Sequence, residues 1–569
     1  MAKSLRAVKR TLCVLNESTK FSALCVRKFG VWTKDGTVKS PYKDIEIPNC
    51  TLYDYVWQNL EKWPERTVSV CATTGRGYTY EQAFKLSNAF AANLRRKFKI
   101  RDGEAVAVML PNVPDYPLVA MGILEAGAVI TTFNPIYTAH EVQRQLVMSA
   151  AKLIITLPEI VGTIKAALQL AKVNIPIIVI KTNGDSIPEG TIAFNELSED
   201  ANVDKSCLKE VRRTGKDVCF LPYSSGTTGL PKGVELTHRN IIANCEQINE
   251  PLIKCHTETT ATHQDCVMAV LPFFHIYAAS VIMFHKMSHG IKLVTLAKLQ
   301  PDLYMQALEK YKTNVLFVAP PLVLLMANHP AASPKTYQHL EVVINGAAST
   351  SSSDADRFLD KVQRKIRFGQ GYGLTETSPV VCMVPKGFED YEAVGHAIPS
   401  TEVKLVDSEL KTVGPNKTGE ILVRGPQVMK GYKDNDEANA NAFADGWFRT
   451  GDLAACDENG VFKIKDRVKE LIKVKGFQVP PAELEAVLRD HPSVQDAAVV
   501  GVSHPTKGEA PKAFIVLKKD VTLDVKDIID FVSERVASYK RVDDVMVLDS
   551  IPKSASGKIL RRTLKDKYC

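Results

Sequence analysis

Residues 223–234 read "YSSGTTGLPKGV". Ser224, Ser225, Thr227 and Thr228 offer hydroxyl donors, and Gly226, Gly229 and Gly233 let backbone N–H groups approach an anion. Lys232 adds a positive charge. This is phosphate-holding chemistry, but the frame is not that of a P-loop, which needs a glycine, four residues and then Gly-Lys-Ser/Thr. Counted from Gly226, the required glycine falls on Pro231, and Lys232 is followed by Gly233 instead of a hydroxyl that could hold Mg²⁺.

Four further stretches carry chemistry. In "FGQGYGLTETSP", residues 368–379, glycines bring backbone close to a ligand and Tyr372 offers a flat face for a purine. Thr375 and Glu376 place a hydroxyl donor beside a hard oxygen ligand, a pair suited to a phosphate and its Mg²⁺. In "WFRTGD", residues 447–452, Asp452 in a glycine turn suits paired ribose hydroxyls. "DRVKELIKVKGFQVPPAELE", residues 466–485, and the basic "IPKSASGKILRR", residues 551–562, complete the set.

The elements around these stretches are short apolar runs alternating with helical patterns. Strands are predicted at 105–110, 128–133, 153–156, 177–180, 218–221, 315–318 and 342–345, with a helix over 114–126. Such alternation predicts an α/β fold, its large N-terminal domain made of several subdomains with mostly parallel sheets. From 467 the pattern changes: helices at 481–489 and 525–537 and strands at 497–502 and 513–517 predict a small α+β C-terminal domain. The expected organisation is a basic extension over 1–40, a nucleotide-binding domain over 41–466 and the small domain over 467–569.

The chain has 569 residues, too many for one hydrophobic core. Its net charge of +8 fits anionic small ligands and is too dispersed for nucleic acid. The 12 cysteines contain no CxxC pair, which predicts free thiols and no zinc site. No transmembrane segment is predicted, because the apolar stretch over 271–284 is broken by His275 and followed by His285 and Lys286. The first thirty residues hold seven basic residues against Glu17 alone, a composition expected of a mitochondrial transit segment, with a cytoplasmic tail as the alternative. The terminal Lys567-Tyr568-Cys569 is not a peroxisomal Ser-Lys-Leu.

Taken in order, the five stretches resemble the adenylate-forming superfamily of acyl-CoA synthetases, firefly luciferases and coumarate–CoA ligases. The likeness is strongest to the coumarate–CoA ligase branch through "LPFFHIYA", "GQGYGLTET" and "VKGFQVPPAELE". It implies ATP-dependent activation of a fatty or aryl carboxylic acid, followed by transfer to coenzyme A, with Mg²⁺ as the accompanying ion. Ser224, Ser225, Gly226, Thr227, Thr228 and Lys232 would close over the β- and γ-phosphates. Gln370, Gly371 and Tyr372 would form the adenine pocket, Thr375 and Glu376 would meet phosphate and metal, and Asp452 and Arg467 the ribose. Lys558 matches the catalytic lysine of adenylation.

Lys469 matches the hinge of the family's small domain, which the resemblance implies to be mobile. Lys473, Lys475, Gly476 and Gln478 match its second face, with Lys475, Gly476 and Lys298 near coenzyme A. His275 would guard the thiol tunnel. With Tyr277, Val281, Gly346, Ala348, Gly373, Pro379, Val380 and Met383 it would line an acyl pocket expected to take an apolar tail. "NGAASTSSSD", residues 345–354, departs from the family pattern beside that pocket, which separates this chain from a hydroxycinnamate specialist. A luciferase-type monooxygenase acting on the same adenylate and a non-catalytic relative are the alternative functions; intact Lys232, Glu376 and Lys558 argue against the second.

Overall fold

The structure is a computed structural model and describes residues 31–182, 186–224, 231–467, 470–474, 477–504, 507–519, 521, 524–536, 538–554 and 557–569. Two large sheets are parallel at their centres, as the alternating pattern requires. One joins Ala105–Val108, Val129–Thr132, Ile154–Thr156, Ile177–Val179 and Val218–Leu221. The other joins Thr67–Cys71, Lys292–Thr295, Cys266–Ala269, Val315–Val318, Val342–Asn345 and Arg367–Gly373. Their strands are short, rich in Val, Ile and Leu, and buried on both faces, because helices cover each side.

The expected strands and helices therefore exist with shifted ends: those of the large domain are mostly trimmed, while the strands expected at 497–502 and 513–517 run longer, over Val494–His504 and Gly508–Leu517. The run over 105–110 is a strand only to Val108, and the helix expected from 114 starts at Tyr116, one residue before Pro117 in its first turn. A third sheet is wholly antiparallel and was not expected: Thr37–Lys39, Glu402–Val406, Thr418–Arg424, Trp447–Cys456 and Phe462–Arg467.

A fourth sheet forms the C-terminal body. Gly508–Leu517 lies between Val494–His504 and Ile472–Val474, and Asp544–Val547 adds to it in parallel. Helices Pro481–Arg489 and Val525–Ser533 pack Leu484, Leu488, Ile528 and Val532 onto it, giving this body its own apolar core. Among the described residues no helix is long and apolar enough to cross a membrane.

Candidate active site

Of the hydroxyl-rich stretch, Ser224 ends one short strand and Lys232 opens the next. After Val218–Leu221 the chain reverses so that Tyr223 pairs with Gly233 and Ser224 with Lys232, and Lys232–Thr237 returns antiparallel to its own sheet. This register holds Ser224 and Lys232 side by side at the mouth of a cavity of about 1570 Å³. Opposite them, Arg367–Gly373 ends in a tight turn. A Cβ on Gly373 would fall 1.9 Å from the carbonyl oxygen of Pro379, so only glycine fits there.

That turn delivers Thr375 and Glu376 to the cavity wall. Glu376 is 6% exposed, and its Oε1 accepts hydrogen bonds from Ser224 Oγ at 2.7 Å and Tyr432 OH at 2.9 Å. Lys232 Nζ stands 5.0 Å from the centre of the Tyr432 ring. Lys232, Ser224, Thr375, Glu376 and Tyr432 thus form one cluster, with a cation and hydroxyls beside a buried carboxylate.

Asp452 and Arg467 face each other in register across two antiparallel strands. Asp452 Oδ1 lies 3.1 Å from Arg467 Nε, and its Oδ2 accepts from Tyr372 OH at 2.8 Å. Burial raises the Asp452 carboxyl above its ordinary range, against the pull of Arg467 and the Tyr372 hydrogen bond. The turn expected around Asp452 is instead the middle of a ten-residue strand, and only Gly451, at φ +71°, keeps a turn-like backbone. Arg467 and Tyr372 line the cavity, while Asp452 sits behind and holds both.

Gln370 also departs from its expected place. Its Oε1 accepts from Asn345 Nδ2 and the Thr350 N–H, both at 3.0 Å, and its Nε2 donates to the carbonyls of Thr350 and Tyr391. The amide is spent on bracing the wall, so the cavity is lined by Gly371 and Tyr372 but not by Gln370. Ala348 is exposed, and the neighbouring Ala347 lines the cavity in its stead.

Lys558 enters the same cavity from the C-terminal body. Its loop is pinned from Ser554, whose N–H donates to the Lys558 carbonyl at 2.7 Å and whose Oγ accepts from the Lys558 N–H at 3.1 Å. Gly557, at φ +82°, lets the loop lie on the start of helix Pro320–Asn328; a Cβ there would come within 3.1 Å of Pro321 and 3.3 Å of Ala319. Burial, and next the Arg467 cation, lower the Lys558 ammonium to about 8, while Glu470 and Asp452 pull the other way.

His275, Tyr277, Val281, Gly346, Gly373, Pro379, Val380 and Met383 line the deeper part of the cavity. Burial pushes His275 down to about 4, so its ring is neutral near pH 7. Its Nδ1 accepts the Tyr277 N–H at 3.3 Å, which leaves the proton on Nε2. Tyr277 fixes its ring by donating to the Ile344 carbonyl at 3.1 Å, and a Cβ on Gly346 would meet that ring at 3.0 Å.

Lys298 and Lys473 are exposed and do not line the cavity; the Lys473 N–H is taken by Glu509 at 2.7 Å, and residue 473 pairs with 478 across a hairpin. Ser225, Gly226, Thr227, Thr228, Lys469, Lys475 and Gly476, the side chain of Gln478 and the basic residues 1–30 lie outside the described residues.

Residues 56–433 match the family described as AMP-binding enzyme, and residues 483–558 match the AMP-binding enzyme C-terminal domain. The chain belongs to the AMP-binding enzyme family. Within it, the chain is 37% identical over 547 residues to 4-coumarate–CoA ligase 1 of Arabidopsis thaliana, covering 94% of this chain and 95% of that one. It is 37% identical over 545 residues to 4-coumarate–CoA ligase 2 of Petroselinum crispum, covering 94% and 97%. In fold it resembles ATP-bound MatB of Rhodopseudomonas palustris, with a TM-score of 0.80 at 24% identity, covering 92% of this chain and 99% of that chain.

Among the cavity residues of this AMP-binding enzyme that the sequence reading does not mark are Tyr432 and Lys286. Tyr432 lies in "MKGYKDND", where nothing in the spacing marks it; it becomes visible only when its strand pairs with the hairpin at Val234 and Glu235. Lys286 carried a signal, a cation just past an apolar run, which was read only as a break in hydrophobicity.

Proposed function

We propose that the reacting centre lies between the Ser224–Lys232 hairpin and Lys558, and that it joins a carboxylic acid to the α-phosphate of ATP. The observation that carries this is the meeting of Lys232, Glu376, Arg467 and Lys558 in one cavity although they come from separate parts of the chain. A carboxylate is a poor electrophile, and two anions must be held together before it can react. Its oxygen attacks the α-phosphorus, the bond to the bridging oxygen breaks, and pyrophosphate leaves. Lys558 supports the charge that builds between the two reacting groups, while Lys232 and the hairpin hydroxyls hold the departing end. The thiol of coenzyme A then attacks the acyl carbonyl, and AMP departs with the electron pair of the broken C–O bond.

Mg²⁺ fits at Glu376. The carboxylate is buried, receives only hydroxyl hydrogen bonds, and has no ion pair among the described residues, the setting in which a hard divalent cation shared with phosphate is favourable. The ion would supply charge neutralisation on the leaving pyrophosphate. Neutral His275 beside the acyl wall suits passage of an uncharged thiol.

For the second half-reaction we propose that the C-terminal body turns about Lys469, withdraws Lys558 and presents Lys473, Lys475 and Gly476 to the coenzyme. The basic composition of residues 1–30 supports mitochondrial delivery; a reporter fused to residues 1–40 that stays in the cytosol would exclude it. The ligase reading is tested by following pyrophosphate release and acyl-CoA formation with ATP, Mg²⁺, coenzyme A and a broad panel of fatty and aryl acids. Release that depends on an acid is expected. No release with any acid would overturn the reading.

A further inference from the structure

The acyl part of the cavity is not apolar to its end. From Tyr277 to Phe284 the helix is wound wide, with i→i+5 hydrogen bonds, and His285–Met287 continues it. Such turns redirect side chains and are frequent at functional sites. Here Tyr277, Val281, His285 and Lys286 all reach the cavity wall, together with Phe317. Lys286 is 1% exposed.

The surroundings of Lys286 are unusual for a buried amine. Its Nζ lies 3.1 Å from His256 Nδ1 and 3.1 Å from His285 Nδ1. The Oδ1 of Asn249, which can only accept, lies 2.9 Å from His285 Nε2, so that ring carries its proton there and offers Nδ1 to the lysine. Burial depresses His256, His285 and His289, so all three rings are neutral and bring no counter-charge. Among the described residues Nζ has two hydrogen-bond partners, both imidazoles, and no ion pair with a carboxylate; Asp265 and the Cys255 and Cys245 thiols support its charge without pairing with it. Phe317 presents its ring 5.1 Å away, a weak substitute for an anion. An ammonium buried without an anion is costly, and such a group persists where something else supplies the charge.

We propose that Lys286 reads the far end of the acyl substrate, and that the preferred acid carries a second carboxylate remote from the one that is activated. This rests on the ligase reading above and makes it narrower. The body of the substrate would lie along Tyr277, Val281 and Gly346, with its distal carboxylate against Lys286. The two neutral histidines orient the ammonium and make no claim on the incoming charge. An acid ending in a methyl group would leave that ammonium buried and unanswered, a situation that sites built for a polar group reject strongly.

The test uses the full chain with ATP, Mg²⁺ and coenzyme A. Straight-chain dicarboxylic acids of four to ten carbons are compared with the monocarboxylic acids of the same lengths, and terephthalate with 4-methylbenzoate. At the best length the diacid should exceed its monoacid in kcat/KM by about tenfold or more. In Lys286→Met, of similar volume but uncharged, the ratio should fall below one, chiefly through KM of the diacid. If the wild-type enzyme turns over monoacids and prefers no diacid at any length, the assignment of Lys286 is overturned and the ligase reading stands. If no acid of either kind, nor any other aryl acid, releases pyrophosphate, both fall together. The wild-type comparison decides the matter even if the methionine variant does not fold.

Discussion

Replacing Lys558 by alanine separates the two half-reactions. The ammonium is lowered from 10.5 to about 8, mainly by burial and next by Arg467. A shift of that size corresponds to about 3 kcal/mol by which the site disfavours the cation. An arriving triphosphate and carboxylate supply the missing negative charge, so contact with the reacting anions should return at least that amount. Losing it predicts a fall of roughly a hundredfold or more in the rate of adenylation. The assay is single-turnover release of pyrophosphate, set beside acyl-CoA formation from a chemically prepared acyl-adenylate. The second rate should stay within a few-fold of wild type, because under the proposed rotation of the C-terminal body Lys558 would meet the reacting groups only while Gly557 lies on Pro321 and Ala319.

The pH profile gives an independent check. Lys558 is charged below its pKa and neutral above it, so kcat/KM for ATP, which reports the free enzyme, should decline above about pH 8. Lys558→Arg should remove that alkaline limb. Equal loss in both half-reactions, or an alkaline limb that survives the arginine substitution, would refute the reasoning.

Other expectations follow from the same structure. Lys286→Met should raise Tm by a few degrees at pH 7, since it removes a buried ammonium lowered by desolvation to about 8. The wild-type penalty is complete below pH 8 and gone above 10.5, so the gain should shrink across that window; a lower Tm at pH 7 would count against an unanswered charge. Gly346→Ala sets a methyl 3.0 Å from the Tyr277 ring and should raise KM for bulky aryl acids more than for slender chains, measured as a ratio within one acid panel. Gly557→Ala should lower adenylation and spare thioester formation, because the added methyl meets Pro321 in a backbone conformation at φ +82° that already disfavours alanine; unchanged pyrophosphate release would contradict the close seating of the loop.

The parallel sheets were legible because strands buried on both faces read as continuous apolar runs, such as "VCFL" at Val218–Leu221 and "VLFV" at Val315–Val318. The antiparallel sheet was not. In Trp447–Cys456 the inward positions after Trp447 are Phe448, Thr450, Asp452, Ala454 and Cys456, so the alternation of burial is masked by polar and small residues. The same masking hid the role of Asp452, whose burial depends on Arg467 arriving from the next strand. Types and spacing marked Ser224, Lys232, Tyr372, Thr375 and Glu376 of the cavity wall, since glycines, hydroxyls and lysines in short motifs carry a chemical signature, whereas the acyl wall, Arg467 and Lys558 were implied by the family resemblance. They did not indicate direction. Gln370 lies in such a motif yet turns its amide into the wall, and that choice depends on Asn345 and Thr350, which are distant in sequence.

The C-terminal body owns a separate core, built around Leu484, Leu488, Val499, Ile515, Ile528 and Val532. Its described ties to the rest are of another kind and include the Ala482 N–H donating to Asp466 at 3.3 Å, Ser353 with Asp490 at 2.7 Å on an exposed edge, Arg489 near Asp354 at 3.6 Å, and the bare backbone of Gly557 on Pro321. Apolar burial is cooperative within each body, and a few polar contacts at a seam transmit little of it. Unfolding in denaturant should therefore not be a single all-or-none event, and one midpoint would misrepresent this chain. Under the proposed site, ATP would be held by groups from both sides of the seam and act as the missing mortar: by mass action it should lift the weaker step toward the stronger and make the two bodies melt as one.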